Sequence, residues 1–73
     1  MKIDVPLHAE YRLIARGIDI DNAKKTIRNP SEKILQGDGR IKATKTLEDG
    51  RVLTIIYVKE KTQMIIITGY YEN

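Results

Sequence analysis

"IKATKTLEDGRVLTIIYV", residues 41–58, decides the fold. Two runs rich in aliphatic and β-branched residues flank Asp49-Gly50, the strongest short hairpin signal in the chain. A two-residue loop there sets Leu47 opposite Val52, Lys45 opposite Thr54, Ala43 opposite Ile56 and Ile41 opposite Val58. Directly opposed residues share a face, so this predicts an aliphatic buried face broken only by Lys45 and Thr54. The other predicted face carries Lys42, Thr44 and Thr46, but also Leu53, Ile55 and Tyr57. It is half apolar, as a groove or partner face would be. A lysine on the apolar side of a strand is costly unless it snorkels or is put to use.

Toward the C-terminus, "KEKT" reads as a polar turn and "QMIIITGYY" as a further strand. Its facing depends on the loop. A three-residue loop puts Met64, Ile66, Thr68 and Tyr70 on the Lys45 side; an even-numbered loop puts Ile65, Ile67, Gly69 and Tyr71 there. Toward the N-terminus, "SEKILQ" is a short strand and "GDG" a turn. Strands are therefore expected at about 32–36, 40–47, 51–58 and 63–71, joined by short connections into an antiparallel meander.

Everything before Pro30 reads differently. Pro6 suits a helix cap or first turn, and Leu7, Tyr11 and Ile14 recur at spacings of four and three, an apolar stripe on a helix over about 7–16. Gly17 follows as a C′ residue, with Ile18 folding back onto the helix. Asp19 is a good N-cap for a second helix over about 20–28, with Ile20, Ala23 and Ile27 as its stripe. Asn29-Pro30 ends it. "KIDV", before Pro6, alternates as a short extended arm. The whole implies one α+β domain over 1–73, a helical hairpin packed on one face of a four-stranded sheet.

The 73 residues suffice for a single small core. There is no cysteine, hence no disulfide and no thiolate metal site. The single histidine has no close carboxylate cluster, so no metal is expected. "MKIDVPLHAE" lacks an apolar signal-peptide region, and "MIII" is far too short to span a membrane. Thirteen Lys and Arg against ten Asp and Glu leave a net charge of +3, a mild basic bias compatible with a polyanionic partner.

Three groups of residues invite chemistry. His8, Arg12 and Arg16 lie at i, i+4 and i+8, a basic stripe that helps no helix but suits a phosphate. An ordinary solvated helix flank is the plainer reading. Lys45 in a semi-apolar wall is the second; its plainer reading is a snorkelling strand-end lysine. Thr68, Tyr70 and Tyr71 in "TGYY" offer hydroxyls and rings on which bases stack, or simply finish the core. "GDG" lacks the lysine and following helix of a phosphate loop, and Ser31 alone makes no triad.

The order His8-Ala9, Arg12, Arg16-Gly17-Ile18, Asn29-Pro30, residues 37–40, Ala43, Lys45, Asp49-Gly50, Leu53, 55–57 and 65–70 resembles a family of small bacterial and archaeal domains. These are similar to the RelE-, ParE- and BrnT-type toxins of toxin–antitoxin pairs. The resemblance implies a RelE-like, ribonuclease-like α+β fold with a metal-free groove between the first helix and the sheet. It implies His8, Arg12, Lys45 and Tyr70 as catalytic residues of a cytoplasmic, mRNA-interferase-like endoribonuclease, with Arg16 and Thr68 binding RNA phosphate. RNA is the partner expected, together with a cognate antitoxin or a second copy, and no cofactor. The alternative is a non-catalytic RNA- or protein-binding module.

Overall fold

The computed structural model describes residues 2–72; residues 1 and 73, the ends of the expected domain, lie outside it. The elements run β1 (Lys2–Asp4), α1 (Leu7–Ala15), α2 (Ile20–Arg28), β2 (Glu32–Leu35), β3 (Ile41–Thr46), β4 (Val52–Glu60) and β5 (Gln63–Tyr71). They form an α+β fold with two helices and one five-stranded mixed sheet, in the order β1-β5-β4-β3-β2. The four-stranded antiparallel sheet is thus corrected. The N-terminal arm is a strand that pairs in parallel with β5, Ile3 opposite Met64. Ile3 is buried in the core, which is what holds so short a strand in place.

The β3–β4 register also differs from the expected one. Lys45 opposes Leu53, Thr44 opposes Thr54 and Ala43 opposes Ile55. The loop has three residues, Glu48, Asp49 and Gly50. The Gly50 N–H donates to the Leu47 carbonyl at 3.0 Å, and the Leu47 N–H donates to the Arg51 carbonyl at 2.8 Å. Gly50 takes the left-handed place with φ 89°, the arrangement of a turn closed by a glycine bulge. The Asp49 carboxylate accepts from the Arg51 backbone N–H at 3.0 Å and its side chain at 2.7 Å. Those bonds hold the Asp49 carboxyl below its usual pKa, the backbone bond first. One extra loop residue moves β4 by one position and turns it over. Leu53, Ile55 and Tyr57 face the helices and are buried, where Val52, Ile56 and Val58 were expected.

β5 resolves its two alternatives by halves. The β4–β5 turn has two residues, with Glu60 opposite Gln63, but the register shifts between Ile56 and Tyr57. Before that bulge Met64 and Ile66 face the helices; after it Gly69 and Tyr71 do, opposite Ile55 and Leu53. A bulge inserts one unpaired residue and inverts the alternation beyond it. Thr68 and Tyr70 therefore lie on the open face, away from the helices.

Both helices cover the other face, α1 over β5 and α2 over β3 and β4. α2 turns its expected stripe inward, with Ala23 and Ile27 buried and Ile20 partly buried against the core; Thr26 is buried beside them, and the Asp19 carboxylate accepts from the Asp21 N–H at 2.8 Å. α1 does not. Its buried residues are Ala9 and Leu13, while Leu7, Tyr11 and Ile14 are 66%, 66% and 59% exposed. The expected core stripe faces solvent. A Cβ on Gly69 would lie 2.8 Å from Leu13 Cδ2 and 2.6 Å from Ile55 Cδ1. α1 thus settles on a bare patch of β5 with its small side, and its large side is left outward. Its C-terminus closes as anticipated: Gly17 adopts φ 70°, and the Ile18 N–H donates to the Leu13 carbonyl at 2.8 Å.

Candidate functional site

Lys45 stays on the helix-facing side of β3, half-buried. Its ammonium donates to the Asn29 carbonyl at 2.9 Å. Asn29 is the C-cap of α2, where the last carbonyls of a helix concentrate negative potential. This answers the cost of a lysine in an apolar wall: it ties the end of α2 to the sheet. One of its three N–H donors is used there, at the end of α2, while the basic stripe of α1 sits over β5.

That stripe meets the sheet at an open edge. β1 pairs only with the first residues of β5, 63–65, so the carbonyls further along β5 have no strand beside them. Arg12 Nη1 donates to the Ile67 carbonyl at 3.2 Å. Arg16 Nη1 donates to the Gly69 carbonyl at 2.8 Å and to the Thr68 hydroxyl at 2.9 Å. The physical logic is that of edge protection, charged side chains blunting a free strand. Each guanidinium has five N–H donors, so these bonds also aim it while leaving donors for an anion. His8 is exposed one turn before Arg12 on the same side of α1. The structure therefore joins Arg12, Arg16 and Thr68 directly and sets His8 next along the stripe.

The Arg16–Thr68 bond reaches around the edge to the open face of the sheet. There Tyr70 opposes Thr54, and Thr54 opposes Thr44. Thr54 is completely buried although it lies opposite the helices. Its hydroxyl donates to the Glu72 carboxylate and lies 3.4 Å from the Thr44 hydroxyl. The Lys42 ammonium lies 3.8 Å from the same carboxylate. Cation, hydroxyls, ring and carboxylate thus follow one another from the β5 edge inward. The sequence does not single out Lys42, Thr54 and Glu72, and the expected register sets Thr54 under the helices, opposite Lys45, whereas it stands opposite Thr44. Only Lys42 and Thr44, on the other face in either register, left a trace in the sequence. Tyr71 lies on the helix side instead, its ring 4.3 Å from the Arg51 guanidinium carbon.

A shallow cavity of about 570 Å³ opens elsewhere, between α2 and the β3–β4 hairpin, where Lys25, Lys45 and Arg51 face Glu48 and Asp49. Of its charges, Arg51 pairs with Asp49 at 2.7 Å and the Lys45 ammonium is bonded to the Asn29 carbonyl. Among the described residues no three of His, Asp and Glu converge as a metal site would need, and no helix is long and apolar enough to cross a membrane. Comparison with protein-family models, with curated proteins and with solved structures found no match for this chain.

Proposed function

We propose that this protein is a metal-independent ribonuclease of the RelE-like toxin type, acting in the cytoplasm on RNA held along the free edge of β5. One observation carries the reading. Arg12 and Arg16, four residues apart on α1, are both steered by β5 backbone carbonyls to an open edge beside Thr68. Two aligned guanidinium groups match a phosphodiester in charge and in fork geometry. Tyr70, on the adjoining open face, offers a ring for a base.

Cleavage by this site is an internal transesterification. The ribose 2′-OH loses its proton to His8, its oxygen attacks the adjacent phosphorus, and the bond from phosphorus to the 5′-oxygen breaks. The leaving oxygen takes a proton, from Tyr70 or water. His8 is the only histidine and the side chain whose ordinary pKa lies nearest neutrality. Arg12 and Arg16 carry the charge that builds on the phosphorane. General base catalysis contributes about 10²–10⁴-fold, and one electrostatic donor about 10²–10³-fold. Lys45 takes no part in this scheme, since its ammonium lies on β3 at the end of α2, two strands in from the free edge of β5.

The test is cleavage of a single-stranded RNA by the purified chain, with products read for a 2′,3′-cyclic phosphate. His8→Ala and Arg16→Ala lose most of the activity, whereas Lys45→Ala lowers thermal stability and keeps it. Cleavage by His8→Ala at the parent rate overturns the assignment. The second reading, a non-catalytic RNA- or protein-binding module, draws on the exposed Leu7, Tyr11 and Ile14. RNA binding without cleavage, and no growth defect when the chain is expressed alone, would favour it.

A further inference from the structure

Thr54 is completely buried on the face of the sheet opposite the helices, and what covers it there is polar. Glu72, one residue past β5, and Lys42 on β3 lean toward one another across it. The Thr54 hydroxyl donates to Glu72 Oε2, and the Lys42 ammonium lies 3.8 Å from the same oxygen. The two side chains keep 37% and 31% of their surface, so the pair is reachable from solvent. Glu72 Oε1 carries no bond among the described residues. The carboxylate is thus held in place with acceptor sites to spare. An ion pair this open adds little to stability. Its neighbours are those of a nucleotide site. Tyr70 stands directly opposite Thr54. Thr68, which receives the Arg16 guanidinium, comes two residues before Tyr70 on the same face, about 7 Å along the strand.

A carboxylate beside an ammonium presents acceptor, acceptor and donor in a row. Among the RNA bases only guanine answers with donor, donor and acceptor on its Watson–Crick edge, through N2–H, N1–H and O6. Adenine and cytosine carry a bare ring nitrogen there, which meets a carboxylate as one acceptor meets another. Uracil flanks its N–H with carbonyl oxygens on both sides. We infer that the Lys42–Glu72 pair is a guanine-reading subsite, with Glu72 accepting from N1–H and N2–H and Lys42 donating to O6 of a base stacked on Tyr70. Ring stacking combined with hydrogen bonds to the base edge is how unstacked bases of single-stranded RNA are recognised. Ionised partners make the stronger hydrogen bonds, and a wrong base leaves them unmatched at a cost. The inference rests on the reading of the β5 edge as an RNA site, where Arg16 supplies the phosphate contact, and it adds a sequence preference to that site.

The probes are short 2′-O-methyl oligouridines that carry guanine, adenine, cytosine or uracil at the central position. With the 2′-oxygen methylated they cannot be cleaved by internal attack, so affinity is read apart from catalysis. Titration into isotopically labelled full-length chain is followed by backbone amide shifts. The guanine probe shifts the amides of Lys42, Thr54, Tyr70 and Glu72. It binds about tenfold more tightly than the others, the discrimination a bidentate base contact usually gives. Hypoxanthine in place of guanine lacks the N2 amino group and loses part of that gain. Glu72→Gln keeps an oxygen for the Thr54 hydroxyl but sets an amide N–H against the base, and it brings the ratio among the probes close to one. Loosening of the sheet alone lowers all affinities together and leaves the ratio in place. A guanine preference that survives Glu72→Gln in full assigns the pair to clasping the end of β5 and overturns the inference. Equal affinity for all the probes overturns it too, while leaving RNA binding at the β5 edge standing. Binding of no probe at millimolar concentration overturns both.

Discussion

α1 and α2 have the same length, nine residues each, and lie on the same face of one sheet, yet they use their apolar stripes in opposite ways. α2 turns Ala23 and Ile27 inward and is held at both ends, by Asp19 at its start and by Lys45 at its finish. α1 turns Leu7, Tyr11 and Ile14 outward and rests on Ala9 and Leu13. The difference lies in the strand beneath. Under α1, Gly69 leaves a hollow that accepts Leu13 closely, and Arg12 and Arg16 reach the β5 edge only when the helix is rotated this way. Periodicity reports that a helix is two-sided. It does not say which side its own sheet takes.

The largest test of that contrast is a pair of truncations in α1. Leu13→Ala should cost about 3 kcal/mol, the usual price of emptying a packed aliphatic site, whereas Tyr11→Ser should stay within about 0.5 kcal/mol. Urea unfolding reads both, and a reversal of the two would mean that α1 is rotated. Next comes the seat itself: Gly69→Ala should destabilise by about 2 kcal/mol through overpacking, since the added methyl meets Leu13, Ile55 and the Thr54 carbonyl oxygen. Its partner variant Leu13→Ala should soften that cost, a coupling a double-mutant cycle measures.

Smaller effects belong to α2. Lys45→Met should cost about 1 kcal/mol by freeing the helix C-terminus, and Asp19→Ala about 1 kcal/mol at the other end. Amide exchange should then quicken in the last turn of α2 for the first and in its opening turn for the second, with α1 unaffected. The smallest effect appears only in alkali. Burial pushes the Tyr57 hydroxyl above its ordinary pKa, so the folded state favours the neutral phenol. That contribution is complete below the unfolded value, about pH 10, and is lost as pH rises through the folded one. Unfolding midpoints taken from pH 7 to 11.5 should fall less in Tyr57→Phe than in the parent; parallel decline would remove Tyr57 from the account.

The two helices, and a sheet of strands from β2 to β5, were legible because proline, glycine and aspartate mark their ends chemically. Asp19, Gly17 and Asn29-Pro30 act within a few residues of themselves, and local chemistry is what a sequence displays. β1 was not legible as a strand, since three residues carry too little pattern and their partner stands some sixty positions away. At Asp49-Gly50 the sequence marks the hairpin but not the length of its loop. The same dipeptide closes a two-residue loop or a three-residue one with glycine last, and only the pairing of the flanking strands selects between them.

The candidate site divides in the same manner. That His8, Arg12 and Arg16 share one side of a helix follows from spacing alone. That Arg16 meets Thr68 while Lys45 meets Asn29 depends on which strand each helix covers. By itself the sequence determined an α+β chain with a capped helical pair, a hairpin-rich sheet and a basic stripe. The tertiary structure decided the facing of α1, the turning over of β4 by one loop residue, the bulge that sends Thr68 and Tyr70 to the open face, and the structural employment of Lys45. The reason is physical: caps and turns are settled by bonds between near neighbours, whereas facing is settled by how well distant surfaces fit, and a glycine in β5 is enough to change the fit.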